Sequence, residues 1–240
     1  MNILITGATS GIGKQLAIDY LEGGHTVFCC GRNTAALQEL TQQYPATAVS
    51  LSFDVSNLAQ CATALKNVPA LDIVILNAGT CEYVNAEKFD AELFARVMRI
   101  NLDGTANCLQ FLIPKIQSEG TLALMGSSSS YLPLPRAEAY GASKAAIEYL
   151  AATLRISLAN ANVKVSYIAP GFVETPLTDL NDFPMPMRVD VHYASREIRR
   201  GLAANKRQIH FPRRFTWILK VIGMLPLRIQ QYLIAKTLAY

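Results

Sequence analysis

The stretch "ITGATSGIG", residues 5–13, joins a short apolar run to a helical pattern predicted over residues 11–23. Its glycines, Gly7, Gly11 and Gly13, carry no Cβ atoms where the backbone must turn sharply and approach a ligand closely. A helix start also presents free N–H groups and a partial positive charge to a pyrophosphate. A glycine-rich turn at this place therefore predicts a dinucleotide-binding site.

The alternation of short apolar runs and helical patterns continues as far as residue 211. Each run is apolar throughout, as expected of parallel strands covered on both faces. This order predicts an α/β fold with a doubly wound, mostly parallel sheet of about seven strands and helices on both faces. The predicted strands are residues 2–5, 25–31, 47–53, 72–76, 121–126, 163–169 and 207–211. Further helices are predicted from Asn33, after Ser56, over 88–113 with a middle weakened by Asn101 and Gly104, and over 137–160.

The composition is that of a single well-filled domain covering residues 1–240. Apolar residues make up 51% of the chain and charged residues 17%, which argues against disorder. The N-terminus lacks the pattern of a secretory signal, and no apolar run reaches the roughly 18–20 residues of a membrane span. Cysteines and histidines show no metal-ligand spacing, so reduced thiols in a cytoplasmic protein without a metal are expected.

The end of the second predicted strand, "CCGRN" (29–33), bears on the choice of cofactor. Dinucleotide folds that prefer NAD place an acid here for the ribose 2′-hydroxyl, whereas an arginine suits a 2′-phosphate. Gly31 occupies the position of the acid and Arg32 follows it, with Asn33 able to assist. This pattern favours NADP(H) over NAD(H), although Arg32 could also be a solvated loop charge.

The stretch "YGASK" (140–144) places a tyrosine four residues before a lysine, on one face of a predicted helix. Both side chains ordinarily titrate near pH 10. The positive charge of Lys144 would stabilise the Tyr140 phenolate, and a phenol with a lowered pKa exchanges protons efficiently near the working pH. Alone, the pair could equally be an ordinary solvated helix face.

Six motifs in order resemble the short-chain dehydrogenase/reductase family over about residues 1–176. They are "TGATSGIG" (6–13), "FDV" (53–55), "NAG" (77–79), "NLDG" (101–104), Ser127 with "YGASK", and "PGFVET" (170–175). The resemblance implies an oxidoreductase that transfers a hydride between a nicotinamide cofactor and a carbonyl or secondary alcohol. A protein on the same fold that senses NADP(H) or binds a partner without catalysis is the alternative, although it would have no need of these catalytic residues.

The resemblance also assigns roles. Tyr140 exchanges the proton, Lys144 supports it and hydrogen-bonds the nicotinamide ribose, and Ser127 donates a hydrogen bond to the substrate oxygen. Asn101 helps to hold a water that links Lys144 to solvent. Only the spacing of thirteen residues to Tyr140 favours Ser127 over Ser128.

The predicted cofactor site combines the glycine loop, the end of the second strand and the matching family motifs. Asp54 is the expected partner of the adenine, and the loop after residue 170 is expected to hold the nicotinamide. The complete predicted set is Gly7, Thr9, Ser10, Gly11, Ile12, Gly13, Arg32, Asn33, Asp54, Val55, Asn77, Ala78, Gly79, Tyr140, Lys144, Pro170, Gly171, Val173 and Thr175.

The last third of the chain carries the expected substrate contacts. By the resemblance, residues 176–200 cover the substrate, which is a small carbonyl or alcohol compound. Phe183, Met185 and Met187 offer contact to an apolar substrate, or they simply pack this segment down. A homo-oligomer is expected from the family alone.

The segment 212–240 departs from the commonest family pattern. Residues 198–240 contain nine Lys or Arg and no Asp or Glu, whereas residues 1–197 carry a net charge of −5. Packing on a second subunit or over the active site is preferred, followed by contact with an anionic membrane surface; an acidic carrier or nucleotide-bearing substrate is the third possibility. Nucleic acid is not expected, because a basic patch without a binding motif is weak evidence.

Overall fold

Seven parallel strands form one sheet in the order β3-β2-β1-β4-β5-β6-β7 in a computed structural model. The structure describes residues 1–238, except for the side chains of Leu180, Thr237 and Leu238. The predicted doubly wound α/β fold is therefore confirmed. The strands are β1 (Asn2–Thr6), β2 (Thr26–Gly31), β3 (Ala48–Ser52), β4 (Leu71–Leu76), β5 (Ile116–Met125), β6 (Lys164–Pro170) and β7 (Gln208–Phe211).

Helices cover both faces of the sheet, and two of them form the predicted C-terminal extension. The helices of the described residues are α1 (Gly11–Glu22), α2 (Thr34–Gln43), α3 (Leu58–Leu65), α4 (Ala91–Met98), α5 (Gly104–Leu112), α6 (Glu138–Ser157), α7 (Val191–Ala203), α8 (Arg213–Gly223) and α9 (Leu227–Leu238). None of the helices in this part of the chain is long and apolar enough to cross a membrane.

Two apolar layers lie on opposite faces of the sheet, because alternate side chains of a strand point in opposite directions. In β1, Ile3 and Ile5 belong to the layer under α1 and α7, whereas Leu4 belongs to the layer under α3, α5 and α6. β1 pairs with both β2 and β4, so the chain reverses its direction of travel across the sheet at β1. Ligands of such sheets bind at the carboxyl ends of the strands beside this switch point.

The single helix predicted over residues 88–113 is wrong in its middle. A π-helical segment, Arg99–Asp103, separates α4 from α5 and contains Asn101. Gly104 follows, and a Cβ atom there would lie 2.7 Å from Val55 Cγ2, so close packing requires glycine. Single π-helical turns inside helices are frequent at functional sites, and this one holds a predicted catalytic residue.

Three further differences have simple physical causes. β3 includes polar residues and exposes Val49, because it lies at the edge of the sheet and is less covered than the central strands. β5 starts at Ile116 rather than at residue 121, since Ile116 pairs with Leu71 before a shift in register. α7 was not among the predicted helices; it begins inside the expected substrate-covering region 176–200 and ends just beyond it, at Ala203. Its inner face packs on α1, where Ser195 Oγ donates a 2.6 Å hydrogen bond to Asp19 Oδ2.

Candidate active site

The glycine loop after β1 has a backbone that other residues would strain. Gly7 and Gly11 have φ angles of +68° and +52°, in a region that favours glycine. At Gly13 a Cβ atom would lie 2.1 Å from the carbonyl oxygen of Gly7. Ser10, the N-cap residue of α1, makes no side-chain capping hydrogen bond. The first turn of α1 therefore offers N–H groups to an anion, as a pyrophosphate-bearing cofactor requires.

The "NAG" segment after β4 braces this loop. The backbone N–H groups of Asn77 and Ala78 both donate to Thr6 Oγ1, at 2.9 and 3.0 Å. The side-chain amide of Asn77 donates to the carbonyl oxygen of Thr6 at 3.0 Å and also contacts Gly7. The carboxyl ends of β1 and β4 are thereby held at a fixed separation, and the cavity opens between them.

A cavity of about 190 Å³ brings Ser127, Tyr140 and Lys144 together with the glycine loop. Tyr140 and Lys144 lie one turn apart on α6. The predicted residues that line the cavity are Gly7, Ser10, Gly11, Ile12, Asn77, Ala78, Gly79, Ser127, Tyr140, Lys144, Pro170, Gly171, Val173 and Thr175. The predicted residues outside its lining are Thr9, Gly13, Arg32, Asn33, Asp54, Val55 and Asn101.

Ser127, rather than Ser128, faces this cavity. Ser127 Oγ accepts a 3.1 Å hydrogen bond from the backbone N–H of Ser129 and is also hydrogen-bonded to Tyr140. A hydroxyl group can accept and donate at once, so the hydrogen bond from Ser129 leaves the Ser127 proton able to donate, in this structure towards the Tyr140 oxygen. Ser128 is buried away from the cavity.

Lys144 is almost completely buried, with 4% of its surface exposed. Its Nζ atom donates to the carbonyl oxygen of Met125 at 2.9 Å and lies 5.6 Å from the centroid of the Tyr140 ring. A Cβ atom at Gly79 would lie 3.4 Å from Nζ, so this glycine leaves room for the ammonium group. The ammonium group thus lies near the phenol ring, and it donates its hydrogen bond to the backbone of Met125.

Asn101 is buried next to the cavity rather than in its wall. Its side-chain oxygen accepts from the backbone N–H of Thr80 at 2.8 Å, and its amide donates to the carbonyl oxygen of Thr80 at 2.9 Å. The amide also donates to Ser143 Oγ at 2.9 Å, and Ser143 donates to the carbonyl oxygen of Tyr140 at 2.7 Å. Asn101 therefore ties the π-helical segment to the helix that carries Tyr140.

The charges of the chain do not by themselves make Tyr140 more acidic. Burial raises the pKa of Tyr140 above its usual value, and the hydrogen bond with Ser127 only partly offsets this effect. Burial also lowers the pKa of Lys144 to about 8. This direction is opposite to the one expected from the spacing of Tyr140 and Lys144, because burial disfavours the charged form of each group.

Arg32 and Asp54 meet beyond the glycine loop, at the ends of β2 and β3. Arg32 Nη1 lies 3.5 Å from Asp54 Oδ2, and the arginine side chain is 72% exposed. Partial burial alone would raise the pKa of Asp54, but hydrogen bonds from Ser56 and the charge of Arg32 lower it below its usual value. The two residues predicted to contact the adenosine half of a cofactor are therefore neighbours.

The other predicted residues of this region have structural contacts. Asn33 caps α2, because its side-chain oxygen accepts from the backbone N–H of Ala36 at 3.1 Å. The carbonyl oxygen of Val55 accepts from Asn107 Nδ2 at 2.9 Å. Thr9 packs against the end of β2, where a Cβ atom at Gly31 would lie 2.6 Å from Thr9 Cγ2. Position 31 is consequently closed to an acidic side chain unless Thr9 moves.

The segment after β6 closes over the cavity. Val173 pairs with Val189, and Thr178 Oγ1 donates to the carbonyl oxygen of Val173 at 2.6 Å. Arg188 forms an ion pair with Asp179 that fastens the loop further. Thr178 also lines the cavity, together with Leu177.

Two of the three apolar residues proposed for substrate contact, Phe183 and Met185, make contacts within or next to this segment. Phe183 makes edge contacts with Tyr83 and Phe172, at centroid distances of 5.4 and 6.1 Å. Met185 Sδ accepts a 3.2 Å hydrogen bond from Asn181, and 48% of the Met187 surface is exposed. The interpretation that they hold the covering segment down agrees better with these contacts.

Sequence reasoning missed several residues that shape the site. Thr6 and Ser143 lie within recognised motifs, and their hydroxyl groups make hydrogen bonds that support the site. Their positions, one residue before Gly7 and three after Tyr140, could have indicated this role from the sequence. Tyr167 fixes the Ser127 backbone across 40 positions of sequence. No local pattern could have revealed that contact.

Comparison with known proteins supports the assignment made from these motifs. The family model for short chain dehydrogenases matches residues 1–182. An uncharacterised oxidoreductase of Myxococcus xanthus is 30% identical over 93% of this chain and 92% of its own length. The 11-beta-hydroxysteroid dehydrogenase-like 3 protein of Arabidopsis thaliana is 31% identical over 93% of this chain and 77% of its own length.

Solved structures share the fold. A short-chain dehydrogenase from Streptomyces avermitilis superposes with a TM-score of 0.85 at 22% identity, covering 98% of this chain and 97% of its own. A 3-ketoacyl-(acyl-carrier-protein) reductase from Brucella melitensis, solved with NADH, superposes with a TM-score of 0.78 at 25% identity. The match covers 88% of this chain and 96% of the reductase chain. The chain therefore belongs to the short-chain dehydrogenase/reductase family of oxidoreductases.

Proposed function

We propose that this protein is an NADP(H)-dependent oxidoreductase that interconverts a carbonyl and a secondary alcohol on an apolar substrate. The observation that carries the proposal is the meeting of Ser127, Tyr140 and Lys144 on the cavity that the glycine loop opens. A proton donor, a hydrogen-bond donor and a buried cation in one cleft are the groups that carbonyl reduction needs.

Each of these side chains has a distinct task in the proposed reaction. Tyr140 gives its phenolic proton to the oxygen of a carbonyl as that oxygen gains negative charge, and it takes the proton back in the reverse direction. Ser127 donates its available proton in a hydrogen bond to the same oxygen. Lys144 lies beside the ring and favours the phenolate whenever its amine is protonated.

The nicotinamide cofactor, when bound, supplies or accepts the hydride and in its oxidised form brings a positive charge. The residues proposed to hold it are the glycine loop, the "NAG" segment, Lys144 at the ribose, and the loop from Pro170 to Thr175. Asn101 is proposed to take part in a proton relay from Lys144 to solvent, since Asn101 Oδ1 and Lys144 Nζ both lie at Gly79, where a Cβ atom would be 3.0 and 3.4 Å from them.

Two features near the end of β2 support NADP(H) over NAD(H). An acid at position 31 is disfavoured, because a Cβ atom there would press on Thr9 Cγ2 at 2.6 Å. Arg32 follows directly, is largely exposed and holds only a long contact with Asp54, so its guanidinium can turn to a 2′-phosphate.

An apolar substrate is supported by the cavity wall near Tyr140. Met125, Val173 and Leu177 contribute apolar surface there. Two relatives carry names that refer to cyclic ketones or alcohols, namely the hydroxysteroid dehydrogenase-like protein of Arabidopsis and a tropinone reductase homologue of Datura stramonium. Cyclic ketones are therefore the first substrates to try.

The test is NADPH consumption by the purified protein with a panel of cyclic, steroidal and linear ketones, repeated with NADH. We expect turnover with at least one apolar ketone and a higher kcat/KM with NADPH than with NADH. NADPH binding without turnover of any ketone or alcohol in the panel would favour the non-catalytic alternative. Equal or better use of NADH would contradict the cofactor preference alone.

A further inference from the structure

The C-terminal helices expose an apolar surface that the rest of the fold does not cover. On α8 the exposed residues Trp217, Ile218 and Val221 lie on one side of the helix, and Met224, its C-cap residue, follows Val221 after three positions. Leu227 and Tyr232 of α9 extend this surface, which we term the tail surface. Contiguous exposed apolar surface of this kind marks a site of interaction.

The opposite face of α8 faces the protein. Thr216 is fully buried and hydrogen-bonded to His210 Nδ1 at 2.7 Å, whereas Trp217, the next residue, is 52% exposed. Lys220 Nζ donates to Gln208 Oε1 at 2.7 Å. The orientation of α8 is therefore fixed by polar contacts on its inner side, so the apolar residues on its outer side cannot be turned inward.

The charged side chains of the C-terminal segment itself all have one sign. Residues 212–240 contain five Lys or Arg and no Asp or Glu. Arg213 and Arg214 are exposed on the outer side of α8, and Arg228 and Lys236 are exposed on α9. None of these four takes part in an ion pair found among residues 1–238.

The helix that carries the tail surface packs, through its inner side, on the wall of the cavity. The Phe215 ring approaches the Phe172 ring at 5.4 Å, and a Cβ atom at Gly171 would lie 2.8 Å from Phe215 Cδ1. Gly171 lines the cavity, so α8 backs the wall of the active site. A surface that bound the outer face of α8 would thus lie next to the proposed substrate site.

We propose that the tail surface binds the anionic surface of a lipid bilayer, with α8 lying in the plane of the interface. Helices that lie in a membrane interface have an apolar face that often includes tryptophan, with Lys or Arg beside it. The tail surface has this composition, with Trp, Ile, Val and Met on its apolar face and Arg at its margin. A tryptophan favours the boundary between headgroups and acyl chains. A second copy of the chain is a poorer occupant, since an isologous contact would bring two sets of cations together.

The single tryptophan of the chain gives a direct readout, because Trp217 is a half-exposed member of the tail surface whose ring packs edge-on against His210 at the margin of that surface. Full-length protein is titrated with vesicles of phosphatidylcholine, or of phosphatidylcholine with about 30% phosphatidylglycerol. We expect a blue shift of Trp217 emission and quenching by brominated acyl chains with the anionic vesicles. Salt at about 0.5 M should weaken this binding.

Matched variants separate the apolar and charged contributions. Ile218→Glu with Val221→Glu should abolish the vesicle response, and Arg213→Gln with Arg214→Gln should weaken it by roughly 10- to 30-fold. Leu58→Glu, which changes an exposed leucine of α3, should leave it unchanged. Circular dichroism and cofactor binding confirm that each variant is folded.

Three results would overturn the proposal. The first is an unchanged Trp217 spectrum with anionic vesicles, which the wild-type protein alone reveals. The second is equal binding to neutral and anionic vesicles. The third is a dimer that dissociates in Ile218→Glu while vesicles have no effect, which would assign the tail surface to a second copy of the chain.

Discussion

The hydroxyl group of Tyr167 lies 3.2 Å from both the backbone nitrogen and the carbonyl oxygen of Ser127. It also lies 3.0 Å from Ser130 Oγ, which donates to Glu148 at 2.6 Å. The tyrosine on β6 therefore holds the segment that carries the proposed hydrogen-bond donor. Gly126 makes room for the ring, since a Cβ atom there would overlap it at 2.0 Å.

Replacing Tyr167 with Phe should misplace Ser127 without touching the cofactor loop. A neutral hydrogen bond contributes about 1 kcal/mol, so we expect kcat to fall roughly 5- to 10-fold. The cofactor dissociation constant should stay unchanged. Steady-state kinetics and fluorescence titration with NADPH measure the two quantities, and Tyr149→Phe on the exposed side of α6 is the control. If the affinity for NADPH fell by as much as kcat, the substitution would act on the structure in general rather than on Ser127.

The glycine loop should be far less tolerant of a methyl group than α6. In Gly13→Ala the new Cβ atom would lie 2.1 Å from a backbone oxygen, and we expect a loss of about 2–4 kcal/mol in the free energy of unfolding. In Gly141→Ala the nearest atoms are 3.8 Å away, and helix propensity should add roughly 0.5–1 kcal/mol. Urea denaturation of both variants measures the contrast, and similar stabilities would contradict this account of the loop.

Arg32 should distinguish the two cofactors. Arg32→Ala removes the guanidinium proposed to bind the 2′-phosphate, so the dissociation constant for NADPH should rise roughly tenfold or more. The constant for NADH should remain within about twofold, because the exposed side chain makes no other strong contact. Isothermal titration with both cofactors measures this. A parallel loss for NADH would mean that Arg32 acts through the loop rather than through the phosphate.

Buried Lys144 should make stability depend on pH. Its pKa in the folded protein is lowered to about 8 by burial. Between that value and its ordinary pKa, the unfolded chain binds more protons than the folded one, so the Lys144 contribution to stability rises with pH. Below about pH 8 the full cost of burying the charge is present.

The measurement is the free energy of unfolding of wild type and of Lys144→Met at about pH 7.5 and 9.5. Between these two pH values, the free energy of unfolding of wild type should increase by about 2 kcal/mol relative to that of the variant. Using the difference removes the opposite contribution of buried thiols such as Cys29, whose pKa is raised to about 12 by burial. If the free energies of unfolding of wild type and variant changed equally with pH, the pKa of Lys144 would not be lowered.

Local patterns predicted the sheet, the glycine loop and the members of the cavity wall. The loop was predictable because backbone geometry at Gly7 and Gly11 is a property of a few adjacent residues. The π-helical segment was not, because Asn101 and Gly104 weaken the helical pattern there without indicating that the backbone of Arg99–Asp103 changes to π-helical hydrogen bonding. The continuous helix predicted there was wrong for that reason.

Contacts between distant parts of the chain lay beyond sequence reasoning. The hydrogen bond between the Ser127 backbone and the Tyr167 hydroxyl joins the segment after β5 to a residue of β6. The tail was recognisably basic and apolar, but only the structure shows that Thr216 faces inward and Trp217 outward. The direction of the Tyr140 pKa shift was missed because burial, which spacing does not reveal, raises this pKa.

The central claim is that Tyr140 supplies the proton to the reacting oxygen, and the rate of hydride transfer in Tyr140→Phe tests it most directly. With a ketone that wild type reduces, single-turnover oxidation of NADPH should slow by about 10²–10⁴-fold, while NADPH affinity changes by no more than about twofold. Hydride transfer at the wild-type rate in this variant, with the cofactor bound normally, would contradict the account.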